Sequence, residues 1–327
     1  MRAAWYSRFG AAAEVLETGI IDDPEVGDGE VLVRVSVSGV NPVDVKRRRG
    51  GRGSEMDSSR VIPHFDGAGV IEAVGNGGDR GRVGERVWVY EAQWGTSSGS
   101  AAEYVSVPAE RAAPLPEGTD FATGACLGIP AITAHRSVFA DGPVDGRTVL
   151  VTGGAGAVGR YAVQFANLGG ARVLTTVSSE AKAELALSAG ADEAINYKTE
   201  DVSSRVMELT AGEGVDRIVE VELGGNLATS LQVIKVNGAI AAYASEASPE
   251  PALPFYLSLY KSMLIRHLLV FQIPDEDKAH AVADINGWMA QGRLSHHIGQ
   301  RYPLAEVVAA HEAVEAGAVG KVLVEIE

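Results

Sequence analysis

Apolar and polar positions follow two different patterns along the chain. In the N-terminal third they alternate: residues 30–38 (E-V-L-V-R-V-S-V-S) place four valines on one face, which is typical of a half-buried antiparallel strand. Further short strands are predicted at residues 2–7, 70–74, 83–90 and 101–107. Glycine and proline separate these segments, so the pattern predicts a compact β domain.

The middle of the chain alternates short apolar runs with segments of helical periodicity. Strands are predicted at residues 149–151, 171–179, 194–197, 215–221 and 238–244, and helices at residues 161–168, 180–189, 201–210 and 226–236. This alternation indicates parallel β-α-β units, and therefore an α/β domain with a doubly wound parallel sheet.

A glycine-rich turn joins the first strand and helix of this region. The glycines are spaced Gly154-x-Gly156-x-x-Gly159, with Ala157 and Val158 where the helix begins. Such glycines permit a tight turn, close approach of a pyrophosphate, and close packing of helix on strand. The helix N-terminus favours negative charge. The turn therefore predicts a dinucleotide site, although a glycine turn without a ligand has the same spacing.

The residues at the end of the second strand indicate whether NADH or NADPH is bound. NAD-binding domains place an acidic residue about 20 residues after the glycines, on the ribose 2′-hydroxyl. Residues 176–179 are T-V-S-S instead, and Lys182 follows. Because Ser178 and Lys182 can donate to a 2′-phosphate, we expect NADPH. Glu180 fits a favourable charge in the first turn of a helix, and an ordinary solvated lysine remains the alternative for Lys182.

The C-terminal region departs from the strand–helix alternation. A proline-rich segment, residues 248–254, precedes a predicted helix at 255–266, a strand at 266–273, a helix at 275–291, a helix from Pro303 to 316 and a strand at 321–326. We expect this tail to pack on the first domain. The predicted organisation is a β domain formed by residues 1–121 and 268–327 around a nucleotide-binding domain formed by residues 122–267.

Composition and charge limit the classes of function. The 327 residues carry 28 Lys and Arg against 43 Asp and Glu, a formal charge of −15, which opposes nonspecific binding to nucleic acid and to anionic membranes. No apolar run reaches the roughly 18 residues of a membrane span, and the first ten residues lack the order of a signal peptide. We therefore expect a cytoplasmic protein. The single cysteine, Cys126, excludes an internal disulfide and predicts a buried, unreactive thiol.

Several ordered motifs carry a resemblance over nearly the whole chain. They are G-V-N-P-V-D at 39–44, H-F-D-G-A-G-V-I-E-A-V-G at 64–75, V-G-E-R-V at 83–87, C-L-G-I-P-A-I-T-A at 126–134, the glycine turn, I-N-Y at 195–197 and G-K-V-L-V near the C-terminus. Together they resemble the medium-chain dehydrogenase/reductase superfamily, in its zinc-free quinone oxidoreductase (zeta-crystallin-like) branch. The resemblance implies a GroES-like β domain plus a Rossmann domain, an active site in the cleft between them, and a homodimer.

The sequence also indicates whether the chain has the ligands of a catalytic zinc site. Zinc-dependent relatives place a cysteine, a Gly-His-Glu and a further ligand around the metal, and many add four cysteines. Here only His64 and Asp66 stand near the Gly-His-Glu position, and two side chains do not make a three-ligand catalytic site. We therefore expect no metal. Without a Lewis acid, hydride transfer to an electron-poor carbon is the better-matched chemistry.

The resemblance assigns residues to an NADPH-dependent reduction of a quinone or an α,β-unsaturated carbonyl compound. It places Asn41 and Asp44 beside the nicotinamide with Thr133, and Ser178, Lys182 and Tyr197 at the adenosine end. It places the backbone from Phe271 to Ile273 at the carboxamide. Each residue also has a structural alternative: a turn for Asn41, a helix for Thr133, the core for Tyr197. Two other functions remain open, an enoyl-thioester reductase and a non-catalytic NADPH-binding protein of the crystallin or redox-sensor type.

The chain departs from the family next to the Asn-x-x-Asp unit. Tyrosines commonly stand there near the substrate, whereas this chain has Lys46 and Arg52 within a basic stretch at 46–52, K-R-R-R-G-G-R. The stretch is either a solvated loop or a rim that attracts an anionic substrate, such as a CoA thioester. The sequence does not choose a proton donor among solvent, Lys46 and Tyr90.

Overall fold

A computed structural model describes residues 1–50, 55–56 and 58–326. Contacts divide it into two compact units, Met1–Ile129 with Val282–Glu327, and Pro130–Ala281. We refer to them as unit 1 and unit 2. The sequence-based domain limits, 1–121 with 268–327 and 122–267, stay a prediction. No helix among the described residues is long and apolar enough to cross a membrane.

The N-terminal part of unit 1 is mostly β-structure. Its elements are β1 (Arg2–Trp5), α1 (Ala12–Val15), β2 (Glu17–Ile20), β3 (Glu30–Val40), α2 (Pro42–Arg49), β4 (Asp66–Val74), β5 (Arg86–Val89), β6 (Tyr104–Pro108), β7 (Ala112–Pro114) and α3 (Phe121–Gly124), with 3-10 turns at Arg80–Arg82 and Ala109–Arg111. The predicted alternation in β3 is confirmed, because Val31, Val33 and Val35 are buried beside half-buried neighbours.

The elements that follow alternate as the sequence predicts. They are α4 (Gly128–Phe139), β8 (Thr148–Val151), α5 (Ala157–Leu168), β9 (Arg172–Val177), α6 (Glu180–Ser188), β10 (Glu193–Asn196), α7 (Val202–Leu209), β11 (Val215–Glu220), α8 (Leu223–Val233), β12 (Ile234–Ala242), α9 (Phe255–Tyr260) and β13 (Leu264–His267). The strands form a six-stranded parallel sheet in the order β10-β9-β8-β11-β12-β13. This is the doubly wound order, in which the strand sequence reverses between β8 and β11.

The chain ends with a 3-10 turn (Val270–Gln272), α10 (Asp275–Ala290), β14 (Ile298–Pro303), a 3-10 turn (Leu304–Glu306), α11 (Val307–Glu315) and β15 (Lys321–Glu325). Strand β15 pairs antiparallel with β3, so the C-terminal tail joins the N-terminal sheet. The sheet order is β14-β15-β3-β4-β5-β7, and β6 pairs with β3. In the strand register, Gly39 on β3 pairs with Asp66 on β4 and with Leu323 on β15. Strand β3 therefore lies between β4 and β15 in this sheet.

Two predictions for the C-terminal region are wrong. The predicted helix at 255–266 ends at Tyr260, and the predicted strand at 266–273 is instead β13 followed by a 3-10 turn. A short apolar run does not distinguish strand from helix by periodicity alone, and the register of β13 comes from its pairing with β12. Strand β14 was not predicted, because it is a largely exposed edge strand without apolar alternation.

Candidate active site

The glycine turn of unit 2 connects β8 to α5 as predicted. Gly153, which the spacing did not single out, adopts a φ of +69° and so makes the turn. A Cβ on Gly154 would lie 2.0 Å from Thr175 Oγ1, and one on Gly159 would lie 2.2 Å from the Gly153 carbonyl oxygen. These two glycines therefore permit close packing of strand, turn and helix.

Gly156 differs from these neighbours. A Cβ there would meet only the Gly153 carbonyl oxygen, at 3.3 Å. Gly156 is the N-cap residue of α5, and no side chain of the described residues caps that helix. The N–H groups at its start, which include those of Ala157 and Val158, are available to an anion. The open space at Gly156 and the uncapped helix fit a bound pyrophosphate.

The end of β9 brings two predicted residues together. Lys182 Nζ donates to Ser178 Oγ at 3.1 Å, and both side chains are half-buried. Ser179 caps α6 by accepting from the Lys182 backbone N–H, whereas Glu180 is exposed in the first turn of that helix. This strand end therefore presents a cation and hydroxyls, a combination that suits a phosphate.

The remaining predicted cofactor residues lie at other strand ends of unit 2. Tyr197 follows β10, its N–H donates to the Val177 carbonyl at 3.1 Å, and its ring is half exposed. It therefore lies at the same sheet edge as Ser178 and is not a core aromatic. Phe271 and Ile273 are buried at the 3-10 turn after β13. The Ile273 N–H donates to the Val270 carbonyl within that turn, at 3.2 Å.

A buried carboxylate that the sequence analysis missed organises the ends of β8 and β11. Glu220 accepts hydrogen bonds from Thr152 Oγ1 (2.8 Å), Asn226 Nδ2 (2.9 Å) and Ser230 Oγ (3.2 Å). Its position as the last residue of a buried strand is the signal that could have identified it. Thr133 lies in α4, nearly buried, and its carbonyl accepts from Ser137 Oγ.

In unit 1 the predicted residues Asn41 and Asp44 are adjacent and buried. Asn41 is the N-cap residue of α2, and Pro42 at the first helical position pre-sets its backbone. Asp44 Oδ2 accepts from the Asn41 backbone N–H at 2.6 Å, and its Oδ1 accepts from the Phe65 N–H at 3.2 Å. Burial and the charge of Asp66 raise the pKa of Asp44 to about 7, against the opposing effect of these hydrogen bonds.

Two residues that were not predicted hold the Asn41 side chain. Lys321 Nζ donates to Asn41 Oδ1 at 2.6 Å and to Asp66 Oδ2 at 2.7 Å, and Asn41 Nδ2 donates to the same Asp66 oxygen at 2.8 Å. Both charged side chains are at most 3% exposed. The second Asp66 oxygen accepts from the Ile129 N–H, at 2.8 Å. We call Asn41, Asp66 and Lys321 the amide clamp, because it fixes the orientation of the Asn41 amide.

Neighbouring glycines make room for the amide clamp. A Cβ on Gly39 would lie 2.2 Å from the Ala125 carbonyl oxygen and 2.7 Å from Lys321 Cε, and one on Gly128 would lie 2.0 Å from Asp66 Oδ1. Gly39 and Gly128 belong to the motifs at 39–44 and 126–134. In each case a side chain would collide with residues of the amide clamp, which explains why glycine stands there.

The histidine nearest to the clamp is also fully engaged. His64 Nδ1 is 2.8 Å from Ser38 Oγ and its Nε2 is 2.9 Å from His311 Nε2. Burial lowers the pKa of both imidazoles, that of His311 to about 3, so both are neutral near neutral pH. Among the described residues, no group of three His, Cys, Asp or Glu side chains is arranged to hold a metal ion. These residues do not fit a zinc site.

Where it is described, the basic stretch belongs to a helix and not to a loop, and its Lys46 and Arg49 side chains are exposed. Residues 46–49 belong to α2, and Arg48 is fully buried, donating to the Gly10 carbonyl and to Glu315. Arg49 pairs with the same carboxylate at 3.0 Å. Arg52 lies outside the described residues. The Tyr90 hydroxyl donates to the Glu110 carbonyl at 2.8 Å, which occupies it with a fold contact.

Comparison with known proteins matches both parts of the chain. The family described as "Alcohol dehydrogenase GroES-like domain" matches residues 27–117, and the one described as "Zinc-binding dehydrogenase" matches residues 157–285. The human protein named quinone oxidoreductase is 32% identical over 326 residues, 99% of this chain and 97% of the human one. An Arabidopsis NADPH-dependent alkenal/one oxidoreductase is 34% identical over 62% of this chain and 54% of its own length.

Solved structures match over the full length. A mycobacterial protein in complex with NADPH has a TM-score of 0.88 and 30% identity, and the match covers 100% of both chains. A GroES-like domain and a Rossmann domain are therefore the architecture of this chain, as predicted.

Proposed function

Since the chain belongs to the quinone oxidoreductase branch of the medium-chain dehydrogenase/reductase superfamily, we propose that it uses NADPH to reduce a quinone or an α,β-unsaturated carbonyl compound. Full-length similarity to named quinone oxidoreductases supports this assignment. On this chain, two observations support the assignment of NADPH: Lys182 pairs with Ser178, and helix α5, which follows the glycine turn, has no side-chain cap at its N-terminus. The cofactor supplies the hydride, and the protein binds and orients it.

The residues of unit 2 suit the phosphates of NADPH. The first turn of α5 offers N–H groups and a favourable dipole to the pyrophosphate. Ser178 and Lys182 offer a hydroxyl and an ammonium group to the 2′-phosphate, and Tyr197 offers a half-exposed ring to the adenosine. We assign the turn around Phe271 and Ile273 to the carboxamide, through the backbone.

In unit 1 we assign Asn41 and Asp44 to the nicotinamide end of the cofactor. Within the amide clamp, Asn41 Oδ1 accepts from Lys321, and one of the two hydrogens on Asn41 Nδ2 is donated to Asp66. One N–H therefore remains for a ligand. Because hydrogen bonds from Lys321 and to Asp66 fix the amide plane, this N–H has a defined direction.

The proposal is tested by following the absorbance of the reduced nicotinamide with 1,4-benzoquinone, a simple enone and an enoyl-CoA, using NADPH and NADH separately. We expect the protein to oxidise NADPH faster than NADH. The metal content of the same sample is measured, so that activity without bound metal can be recognised. Preference for the enoyl-CoA would identify an enoyl-thioester reductase. Tight NADPH binding without oxidation across the panel would favour the non-catalytic alternative. Absence of NADPH binding would contradict the proposal.

Lys182→Ala is expected to lower kcat/KM for NADPH by about tenfold to a hundredfold, because a hydrogen bond to a charged group contributes roughly 1.5–3 kcal/mol. The value for NADH should change less than about twofold, since NADH has no 2′-phosphate. Steady-state kinetics with both cofactors provide the measurement.

The matched control for this prediction is Lys235→Ala. Lys235 pairs with Asp216 at the start of β11, away from the strand ends that carry Ser178. The Lys235→Ala variant should leave the preference for NADPH over NADH unchanged. Equal losses with NADPH and NADH in Lys182→Ala would assign this lysine to the fold instead of the phosphate.

We also propose that the protein is a homodimer that pairs through β13 and α9. Strand β13 is an edge strand of the six-stranded sheet, and an open edge is a template for pairing. On α9, Phe255, Tyr256 and Tyr260 expose 63%, 69% and 78% of their surface. Aromatic residues are enriched in interfaces.

Replacing both Tyr256 and Tyr260 by lysine is expected to convert a dimer to a monomer, measured by light scattering after size exclusion. The control is Ile20→Lys, because Ile20 is 76% exposed but lies on β2 of unit 1. A monomeric wild-type protein, or a double variant that stays dimeric, would contradict this interface. The cytoplasmic location stays a prediction of the sequence.

A further inference from the structure

The loop that follows β12 is tied to the start of α8 by one carboxylate. Glu222 Oε1 accepts a hydrogen bond from the Gly225 N–H at 3.2 Å and so caps α8. The other oxygen, Oε2, accepts from the Glu246 N–H at 2.7 Å and from the Ala247 N–H at 3.1 Å. A helix cap needs only one oxygen, so the second oxygen holds a segment that lies 24 residues further along the chain. We call these three hydrogen bonds to Glu222 the carboxylate staple, and residues 245–248 the β12 loop.

Contacts beside the carboxylate staple fit the β12 loop closely against α8. The Gly224 N–H donates to Ser245 Oγ at 2.9 Å, and Ser245 Oγ donates to the Ser248 carbonyl at 2.6 Å. A Cβ on Gly224 would lie 2.2 Å from that carbonyl oxygen, so a side chain there would push the loop away. The Leu223 N–H also donates to the Ala244 carbonyl, at 3.0 Å. The loop is therefore held through side chains and backbone together.

A second carboxylate connects the staple to the glycine turn. Thr152 stands directly before the turn, donates from Oγ1 to Glu220 Oε1 at 2.8 Å and accepts from the Val221 N–H at 2.9 Å. The same Glu220 oxygen accepts from the Glu222 N–H at 2.8 Å. The Glu220 carbonyl accepts from the Tyr243 N–H at 3.1 Å. Glu220 thus joins the carboxyl ends of β8, β11 and β12, and the staple extends this network to the β12 loop.

The topology of unit 2 determines which half of a dinucleotide would lie near the β12 loop. A dinucleotide bound to a doubly wound sheet crosses the point where the strand order reverses, outside the carboxyl ends of the strands. We have assigned the 2′-phosphate to Ser178 and Lys182, at the end of β9, and the pyrophosphate to the turn after β8. The sheet order β10-β9-β8-β11-β12 then leaves the ends of β11 and β12 for the nicotinamide half. Glu222 follows β11, and the loop follows β12.

We propose that Glu222 is a positioning residue for the nicotinamide half of NADPH, because its staple holds the β12 loop where that half binds. The inference rests on the proposed function, which makes NADPH the cofactor. Both oxygens of Glu222 already accept hydrogen bonds from backbone N–H groups. The carboxylate therefore acts on the cofactor through the loop and not by direct contact.

The charge of Glu222 makes the staple effective. Burial alone raises the pKa of Glu222, but the hydrogen bonds from Ala247, Glu246 and Gly225 outweigh that effect and hold the pKa below its usual range. Glu222 is therefore ionised near neutral pH, and hydrogen bonds to a charged acceptor are roughly twice as strong as those between neutral groups. Without the staple, only a fraction of the molecules would hold the loop in place, and the affinity for NADPH would fall by that fraction.

Glu222→Ala tests the proposal with two ligands, NADPH and adenosine 2′,5′-bisphosphate, which carries the adenosine and its 2′-phosphate but no nicotinamide. The Kd for NADPH is expected to rise by about tenfold or more, the effect of losing hydrogen bonds to a charged group. The Kd for the bisphosphate should change less than about twofold, because Ser178 and Lys182 are intact. Glu222→Gln should lose less NADPH affinity than Glu222→Ala, since one acceptor oxygen remains. Isothermal titration calorimetry measures both constants.

The matched control is Glu250→Ala, which removes one negative charge from an exposed side chain just beyond the β12 loop. Both Kd values should stay as in the wild type. If Glu222→Ala does not fold, Glu222→Gln and Ser245→Ala decide. Ser245→Ala removes the hydroxyl that links Gly224 to Ser248, and it should likewise weaken NADPH and not the bisphosphate.

Thermal unfolding of the same samples separates positioning from a purely structural role. A lower unfolding temperature with both Kd values unchanged would overturn the proposal, and so would equal weakening of both ligands. Because no electron acceptor is present, these titrations do not depend on the identity of the substrate. A wild-type protein that binds both ligands but oxidises no NADPH with any acceptor would contradict the proposed reaction and leave the role of Glu222 to the titrations. A wild-type protein that binds neither ligand would overturn both proposals.

Discussion

Lys321→Met is expected to lower the free energy of unfolding by about 3–5 kcal/mol, because it leaves the Asp66 carboxylate buried without its cation. It should also lower kcat, because Asn41 Oδ1 loses its donor and the amide can rotate. Denaturant titration measures the first effect and NADPH oxidation the second. Lys235→Met is the control: its ion pair with Asp216 is similarly short, at 3.1 Å, but partly exposed, and should contribute less than about 1 kcal/mol.

The pH dependence of Lys321→Met gives a further readout. Burial and Asp66 raise the pKa of Asp44 in the folded state to about 7, from 3.8, and Lys321 opposes that rise. A raised carboxyl pKa contributes stability at low pH that is lost as the pH rises through the folded value. Removal of Lys321 raises the pKa of Asp44 further. The stability difference between variant and wild type should therefore grow as the pH increases from about 4 to above 7.

Adding Asp66→Leu to Lys321→Met separates stability from function. Replacing a buried ion pair by apolar residues is often close to neutral in stability, so the double variant should recover part of the loss. It should not recover kcat, because both partners of the Asn41 amide are then gone. Recovery of both quantities together would contradict a positioning role for the amide clamp.

Features that depend on neighbouring residues could be predicted from the sequence. The alternation in residues 30–38 predicted which valines of β3 are buried. The glycine spacing before an apolar helix predicted the β8-α5 turn. The pairing of Ser178 with Lys182 is also local, because Lys182 lies in the first turn of α6, which begins just after the strand end that carries Ser178. In each case the physical cause acts within a few residues.

The parts that were missed depend on long-range contacts. Lys321 meets Asp66 across 255 residues, and no local pattern relates them. Arg48 looks like its exposed basic neighbours in the sequence, yet Glu315 in α11 makes its burial possible. Gln93 follows β5 in a segment whose sequence resembles a surface loop, yet its side chain is only 1% exposed. Burial of a polar group is therefore visible only once its partners are placed.

Gly159→Ala is expected to abolish NADPH binding at micromolar concentrations and to destabilise unit 2. Its Cβ would lie 2.2 Å from the Gly153 carbonyl oxygen and 3.0 Å from Gly154 Cα, and backbone atoms cannot move aside as the end of a side chain can. Such overpacking typically costs about 1–3 kcal/mol. Fluorescence titration of NADPH and a thermal unfolding scan measure the two effects.

Gly156→Ala is the informative partner of that variant, because the two substitutions add the same atom to the same turn. The new Cβ at Gly156 meets only one protein atom, at 3.3 Å, and the φ of −74° suits any residue. The fold should therefore lose less than about 1 kcal/mol, the usual range of an N-cap substitution. A bound pyrophosphate would nevertheless contact the added methyl, so we expect NADPH affinity to fall by about tenfold or more. Unchanged affinity in Gly156→Ala would mean that the turn serves only packing, whereas loss of affinity without loss of stability would place the phosphates at the start of α5.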